Sequence, residues 1–312
     1  MIKIVYMGTP QIAVNCLTKL LNFNDVKVMC VVTQPDRPCG RGKKLTPPPV
    51  KDAALTNNLT VYQTDSIKKD AELIERLKSL EPDFFITFAF GQILSQEVLD
   101  IPKFGTINLH ASLLPELRGA NPIQRAIYNG DKVTGITTMM TALELDAGDI
   151  CMQEKIQITE NMTDTELAQI ISDKAPFILY PTIKNLYSGS LTSQPQDETK
   201  VTFANKFVKE DGKIDWERET AVQIHNKIRA MNSQTCAYTV LNDKIIKVVE
   251  SKLMEKKSET QGIVEAVTKE GIEVGTADGV LLITKLKPEG KPVLNAYDWT
   301  NGAKLKVEDR FN

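Results

Sequence analysis

An amide and an imidazole two residues apart, Asn108 and His110, stand at the end of an apolar run, INLHASLLP. Strand side chains alternate between faces, so these two point to the same side while Ile107 and Leu109 turn into apolar packing. Placed together where a strand ends, they can polarise a carbonyl. The same pair could instead satisfy backbone groups inside a loop, because buried polar groups are normally bonded. Downstream, the loop LELDAGD carries Glu144, Asp146 and Asp149 around Gly148. Small and acidic residues form turns for local reasons, so this loop bears on the chemistry only if it faces His110.

The elements needed to hold these groups follow a simple alternation. MIKIVYMG reads as a buried strand, QIAVNCLTKLLNF as a helix with Ile12, Leu17 and Leu20 on its apolar stripe, and DVKVMCVVTQ as the next strand. DFFITFAFGQIL is a further buried strand that ends in a turn at Gly91. Strand–helix–strand order of this kind predicts an α/β fold: a doubly wound, mostly parallel sheet with helices on its faces. Ligands of such sheets sit beyond the carboxyl ends of the strands, where Asn108 and His110 fall. The glycine fingerprint of a dinucleotide site is missing, since Thr9 and Pro10 follow Gly8. A dinucleotide-dependent dehydrogenase is therefore disfavoured.

Between the second strand and the next helix lies PDRPCGRGKKLTPPPV, whose prolines and glycines predict a long irregular loop. It concentrates Arg37, Arg41, Lys43 and Lys44 on a chain of net charge −2. Such a loop could be a mobile basic finger for phosphates, or simply a solvated charge run. Helices are expected at KDAALTNN, at SIKKDAELIERLKSLEP, at SQEVLD behind Ser95, and after Pro122. A long helix follows Thr163 or Asp164.

The organisation changes after residue 188. A polar stretch without hydrophobic period gives a linker over 189–206. Residues 207–312 then show a short helix followed by brief Val- and Ile-rich strands separated by turns, as expected of a small antiparallel, OB-like β-barrel. The first domain spans 1–188. His225, in the polar helix TAVQIHNKIRAM, is expected at the surface or an interface.

Composition narrows the classes. With 42% hydrophobic and 25% charged residues in 312, the chain carries enough apolar material for real cores. Five cysteines stand singly, without a CxxC pair, which argues against a disulfide framework and a zinc ribbon. His110 and His225 are the only histidines, and no metal is expected. No basic-then-apolar leader and no apolar run of membrane-spanning length stand in the sequence, so the expected compartment is the reducing cytoplasm. A monomer is expected, without membrane contact.

These stretches together resemble the methionyl-tRNA formyltransferases over nearly the whole chain. The resemblance rests on MGTP, QPDRPCGRGKKL with PPPVK, FAFGQIL, INLHASLLP with RGANPIQ, LDAGD, QDETKVTFANK and IDW. It implies a formyltransferase domain joined to an OB-like, tRNA-binding C-terminal domain. It implies transfer of a formyl group from 10-formyltetrahydrofolate, as cosubstrate, to the amine of methionine on initiator tRNA, for translation initiation. Carried over by motif, Asn108, His110 and Asp146 are the catalytic trio. Ser112, Leu113, Leu114 and Pro115, with Phe88, Phe90, Gly91, Ile93 and Leu94, belong to the folate pocket. Arg37, Arg41, Lys43 and Lys44 belong to the loop set against the tRNA acceptor end.

The sequence departs from the family pattern at Glu116 and Leu117, where a basic residue and an aromatic are common. RGANP stands for RGAAP, and MNSQTCAY replaces an NPWP-like segment. A formyltransferase for a small amine would share the trio but would require neither the basic loop nor the added β domain. A folate- or RNA-binding module without activity would not require the trio.

Overall fold

The computed structural model describes residues 1–40, 42–233 and 235–312, and these form two compact units. The first comprises Met1–Gly119, Thr134–Gln157 and Ala168–Phe203. The second comprises Ala120–Val133, Ile158–Leu167 and Ala204–Asn312.

In the first unit, β1 (Ile2–Gly8), β2 (Val26–Thr33), a hairpin of β3 (Arg37–Cys39) and β4 (Lys44–Thr46), β5 (Val61–Gln63), β6 (Phe84–Phe88) and β7 (Thr106–His110) come first. They are followed by the two-residue β8 (Arg118–Gly119), β9 (Val133–Met140) and β10 (Ile150–Gln157). One seven-stranded sheet runs in the order β10-β9-β7-β6-β1-β2-β5. β1 pairs parallel with β2 and β6, β2 with β5, and β6 with β7, whereas β9 lies antiparallel to β7. The mostly parallel sheet expected from the sequence is thus present.

Both faces of this sheet are covered, which is why its strands read as continuous apolar runs. On one face, Val5, Met7, Cys30, Val32 and Phe85 meet Leu73, Ile74 and Leu77 of a helix at Ala71–Ser79 and the buried Val98. Ile4 and Tyr6 point the other way and are also fully buried, with the Tyr6 hydroxyl donating to the Ala13 carbonyl at 2.7 Å. Helix Ala71–Ser79 is capped by Asp70, whose carboxylate accepts from the Leu73 N–H. The parallel strands bring Gly8, Thr33, Gln63, Phe88 and His110 to one edge of the sheet. Gly8 leaves little room for a side chain, because a Cβ there would sit 3.0 Å from the Phe88 carbonyl oxygen, which would have to give by a few tenths of an ångström.

The basic stretch is more ordered than its prolines suggest. Arg37 pairs with Thr46, Pro38 with Leu45 and Cys39 with Lys44 in a free-standing antiparallel hairpin, where a missing proline N–H costs no central ladder bond. Pro49, at a favourable first-turn position, then opens a helix at Pro49–Thr56.

Among the described residues, the second unit holds helices at Pro122–Asn129, Ala221–Ala230 and Ala296–Ala303 and a six-stranded sheet. Strands Ala237–Leu241, Lys244–Leu253, Val280–Pro288, Gly271–Gly275 and Val264–Thr268 pair antiparallel in that spatial order, with Leu294–Asn295 added to Val280–Pro288. The segment 309–312 bonds on one side to Val240 and on the other to Gly262 and Val264, so it fills the gap between the two outer strands. This bridging gives the C-terminal strands the closed antiparallel character expected of them. Its core gathers Trp216, Ile224, Ile228, Val248, Ile272, Leu281, Ile283 and Phe311.

Of the two places expected for His225, the surface and an interface, the surface is not where it lies: it is 4% exposed. Its Nε2–H donates to the Glu160 carbonyl at 3.2 Å, and Nδ1 accepts from Ser251 Oγ at 3.0 Å. Burial pushes its pKa down, and the nearby Arg229 guanidinium acts in the same direction. The unfolded imidazole gains its proton near pH 6.5, roughly its ordinary value, and the folded one only at lower pH. This contribution to stability is therefore present above about pH 6.5 and is lost as pH falls through the folded pKa. Thermal melts should show wild type losing more stability than His225→Gln between about pH 6.5 and 5. The extra slope cannot exceed that of one proton, about 1.4 kcal/mol per pH unit. Parallel pH curves for the two proteins would remove His225 from the account.

Candidate functional site

Two turns leave adjacent parallel strands at the same edge of the sheet, one after β6 and one after β7. Register pairs Thr87 with Asn108 and Phe88 with Leu109. The Thr87 hydroxyl donates to Asn108 Oδ1 at 2.8 Å. This bond uses the acceptor side of the amide and turns its N–H₂ group away from Thr87. The half-buried Asn108 is thereby held as a hydrogen-bond donor.

His110 is buried at the end of β7. Its Nε2 lies 2.9 Å from the Leu117 carbonyl oxygen, and a carbonyl can only accept, so Nε2 carries a hydrogen. Nδ1 then faces Asp146, whose Oδ2 is 3.6 Å away, with side-chain exposures of 6% and 11% for the two groups. The acidic loop does face the histidine, which is the condition set by the sequence. Asp146 Oδ2 also accepts the Gly119 N–H at 2.9 Å. Asp146 sits at φ +53°, in the left-handed region that is uncommon for residues other than glycine. A donor amide, an imidazole and a carboxylate at one strand end can stabilise a carbonyl oxygen and accept a proton.

The turn after β7 is fixed by Thr137 and Gln153, which the sequence did not single out. Thr137 Oγ1 donates to the Ser112 carbonyl at 2.7 Å and accepts the Leu114 N–H at 3.1 Å. Gln153 Nε2 donates to the Leu114 carbonyl at 2.8 Å. Ser112 and Leu114 are buried, while Leu113 and Pro115 are partly exposed. In the turn after β6, Phe88, Phe90 and Leu94 are buried, so they support the site from beneath. Gly91 and Ile93 are exposed, Ile93 by 67%. Gln34 Nε2 donates to the Phe90 carbonyl at 3.0 Å, and Gln92 bridges the Thr64 carbonyl and the Ile67 N–H. Both turns are thus pinned by side chains from neighbouring strands and loops.

Arg37, Lys43 and Lys44 are exposed on the hairpin, and Arg41 lies outside the described residues. Arg37 pairs with Asp65 at 2.7 Å, both side chains being well exposed. At the base of the hairpin, Lys51 Nζ donates to both Asp36 oxygens and to Gln63, and holds the Asp36 carboxyl below the usual carboxylate range. Among the described residues, no group of three His, Cys, Asp or Glu side chains is placed to hold a metal ion. No helix among them is long and apolar enough to cross a membrane.

The Formyl transferase family model matches residues 2–183, and the Formyl transferase, C-terminal domain model matches residues 206–304. A methionyl-tRNA formyltransferase of Clostridium acetobutylicum is 44% identical over 303 residues, covering 97% of either chain. One from Fusobacterium nucleatum is 42% identical over 312 residues, covering 99% of both. Among solved structures, an N-formyltransferase from Helicobacter canadensis, in complex with folinic acid and dTDP-3-aminofucose, superposes with a TM-score of 0.69 at 21% identity, covering 91% of this chain and 98% of the other. HypX from Aquifex aeolicus, in complex with tetrahydrofolic acid, gives a TM-score of 0.68 at 18% identity, covering 98% of this chain and 48% of that one. At these identities the structural likeness concerns the fold.

Proposed function

This chain belongs to the methionyl-tRNA formyltransferases, and on that footing we propose that it transfers a formyl group from 10-formyltetrahydrofolate to the amino group of methionine on initiator tRNA. The observation that carries the chemistry is the His110–Asp146 pair at the end of β7, the strand that also presents Asn108.

The donor supplies the formyl carbonyl as an electrophile; the remaining work falls to the side chains. Asn108, its Oδ1 engaged by Thr87, offers its N–H₂ group to the formyl oxygen as negative charge develops there. His110, oriented by the Leu117 carbonyl, presents Nδ1 on the side of Asp146. Asp146, oriented by the Gly119 N–H, takes the proton of the amine, directly or through a water, as the amine bonds to the formyl carbon; the same proton is returned to the folate nitrogen as its bond to that carbon breaks. The folate would lie against the 112–115 and 88–94 turns. Their backbone edges, partly exposed Leu113 and exposed Ile93 fit a flat, polar-rimmed ring. Free cysteines at Cys16, Cys30, Cys39, Cys151 and Cys236 suit a reducing cytoplasm.

The exposed hairpin would grip tRNA phosphates, with residues 207–312 as the further tRNA-binding domain. Removing one lysine–phosphate pairing should lower the salt dependence of log K by roughly 0.7–0.9. Lys43→Ala combined with Lys44→Ala should therefore weaken Met-tRNA binding and flatten its salt slope by about 1.4–1.8, while folate binding holds. Titrations at several salt concentrations measure this, and an unchanged tRNA affinity would remove the hairpin from the tRNA site.

The reaction itself is tested by offering labelled 10-formyltetrahydrofolate with Met-tRNA, uncharged tRNA, free methionine and glycinamide ribonucleotide in parallel. Formylation of charged initiator tRNA alone is expected. Formylation of a small amine with the tRNA ignored would overturn the substrate assignment while leaving the trio in place.

A further inference from the structure

The stretch 196–202 has no hydrophobic period, yet it touches the supports of both His110 and Asp146. Gln196 is 8% exposed, and its Nε2 donates to the Asp146 carbonyl at 2.8 Å and to the Gly148 carbonyl at 2.7 Å. Its Oε1 is held in turn by Arg118, which donates from Nε at 3.0 Å and from Nη2 at 2.9 Å. Arg118 is 2% exposed, and Glu198 binds the outer edge of its guanidinium at 2.7 and 3.3 Å. The amide of Gln196 is therefore polarised from one side and spends both N–H bonds on the backbone of the acidic loop.

Thr202 secures the other half of the arrangement. Its hydroxyl accepts the Leu117 N–H at 2.8 Å, and its carbonyl accepts the Arg118 N–H at 2.9 Å. The segment so fixed supplies the Leu117 carbonyl to His110 Nε2 and the Gly119 N–H to Asp146 Oδ2. Leu117 and Asp146 both adopt positive φ, +61° and +53°, so neither backbone rests in its preferred state without external bonds. Gly148 adds a steric constraint, since a Cβ there would lie 1.7 Å from the Met140 carbonyl oxygen.

We propose that Gln196, clamped by Arg118, is a positioning residue that holds the Asp146 loop where its carboxylate faces His110 and can take the proton of the attacking amine. The proposal rests on the reading of Asp146 as the proton acceptor. Gln196 acts through the Asp146 and Gly148 carbonyls, on which both its N–H bonds are spent. A misplacement of about 1 Å at a reacting group can cost on the order of 10²-fold in rate, which sets the scale of the effect.

The test uses the full chain with 10-formyltetrahydrofolate and Met-tRNA. Gln196→Met keeps the length and removes both the donor and the acceptor. Gln196→Glu keeps the acceptor for Arg118 and removes the donation to the loop. Both should lower kcat by about 10–100-fold with KM for either substrate within about threefold. In an Asp146→Asn background neither should lower kcat further, because the group they position has already lost its function. Should Gln196→Met not fold, Gln196→Glu carries the same comparison. Wild-type kcat in the folded Gln196 variant, or an equal additional loss in the Asp146→Asn background, would overturn the proposal. Full turnover in Asp146→Asn alone would instead overturn the proton-acceptor reading, so the two failures are told apart.

Discussion

Asp146→Asn is expected to lower kcat for Met-tRNA formylation by about 10²–10⁴-fold, the usual weight of a positioned acid–base group. The substitution is close to isosteric. An amide oxygen at the Oδ2 position can still accept the Gly119 N–H, and the Gln196 bonds reach the Asp146 carbonyl, which the substitution does not alter. The loop should therefore keep its place, and KM for both substrates should stay close to wild type. What disappears is a carboxylate 3.6 Å from His110 Nδ1. Nε2 is committed to the Leu117 carbonyl, so no tautomer of His110 can offer Nδ1–H to the asparagine while leaving Nε2 bare without breaking that bond. Single-turnover rates with saturating substrates measure the effect. Turnover equal to wild type would sink the assigned role, and a rise in KM at constant kcat would make Asp146 a binding residue.

How much of this was legible before the fold was known depends on the range of the interaction. The period-2 spacing of Asn108 and His110 is a local property of a strand, and both do lie on β7 as that spacing requires. The parallel sheet is legible for the same reason: burial on both faces leaves long apolar runs such as those of β1 and β6. Asp146 is different. An Asp–Ala–Gly loop is explained by its own turn chemistry, and only its approach to His110, from 36 positions away in sequence, gives it weight.

Gln196 and Arg118 illustrate the limit more sharply. Their bond spans 78 residues, and nothing in a polar, aperiodic stretch distinguishes a side chain that clamps a loop from one in a solvated tether. Leu117, a departure from the family pattern, contributes through its backbone carbonyl and N–H, so the change of side chain leaves both bonds available. His225 shows the same limit from another side. Its helix turns Ile224 and Ile228 into the C-terminal core, while His225 and Arg229 are buried against carbonyls of Thr159, Glu160 and Met162, which a separate segment supplies. The hairpin was obscured by its prolines, because three-residue strands carry too little pattern to show through them.

Asn108→Ala is expected to lower kcat by about 10²–10³-fold, the cost of removing one oriented donor to a developing oxyanion. The direction of the amide decides this. Thr87 donates to Oδ1, so the amide cannot rotate to present its oxygen without losing that 2.8 Å bond. Its N–H₂ group is therefore aimed in advance, and no reorganisation is required as charge grows on the formyl oxygen. A donor of this kind matters little to a neutral carbonyl and much to an anionic one, so KM should change far less than kcat. Asn108→Asp sharpens the test: it keeps the partner for Thr87 but sets a carboxylate where a donor stood, and should lose more activity than alanine. Steady-state kinetics of both variants decide the matter. A large rise in KM with kcat preserved would mean that Asn108 binds ground state and transition state alike, and a more active Asn108→Asp would show that its place in the reaction is not that of a hydrogen-bond donor.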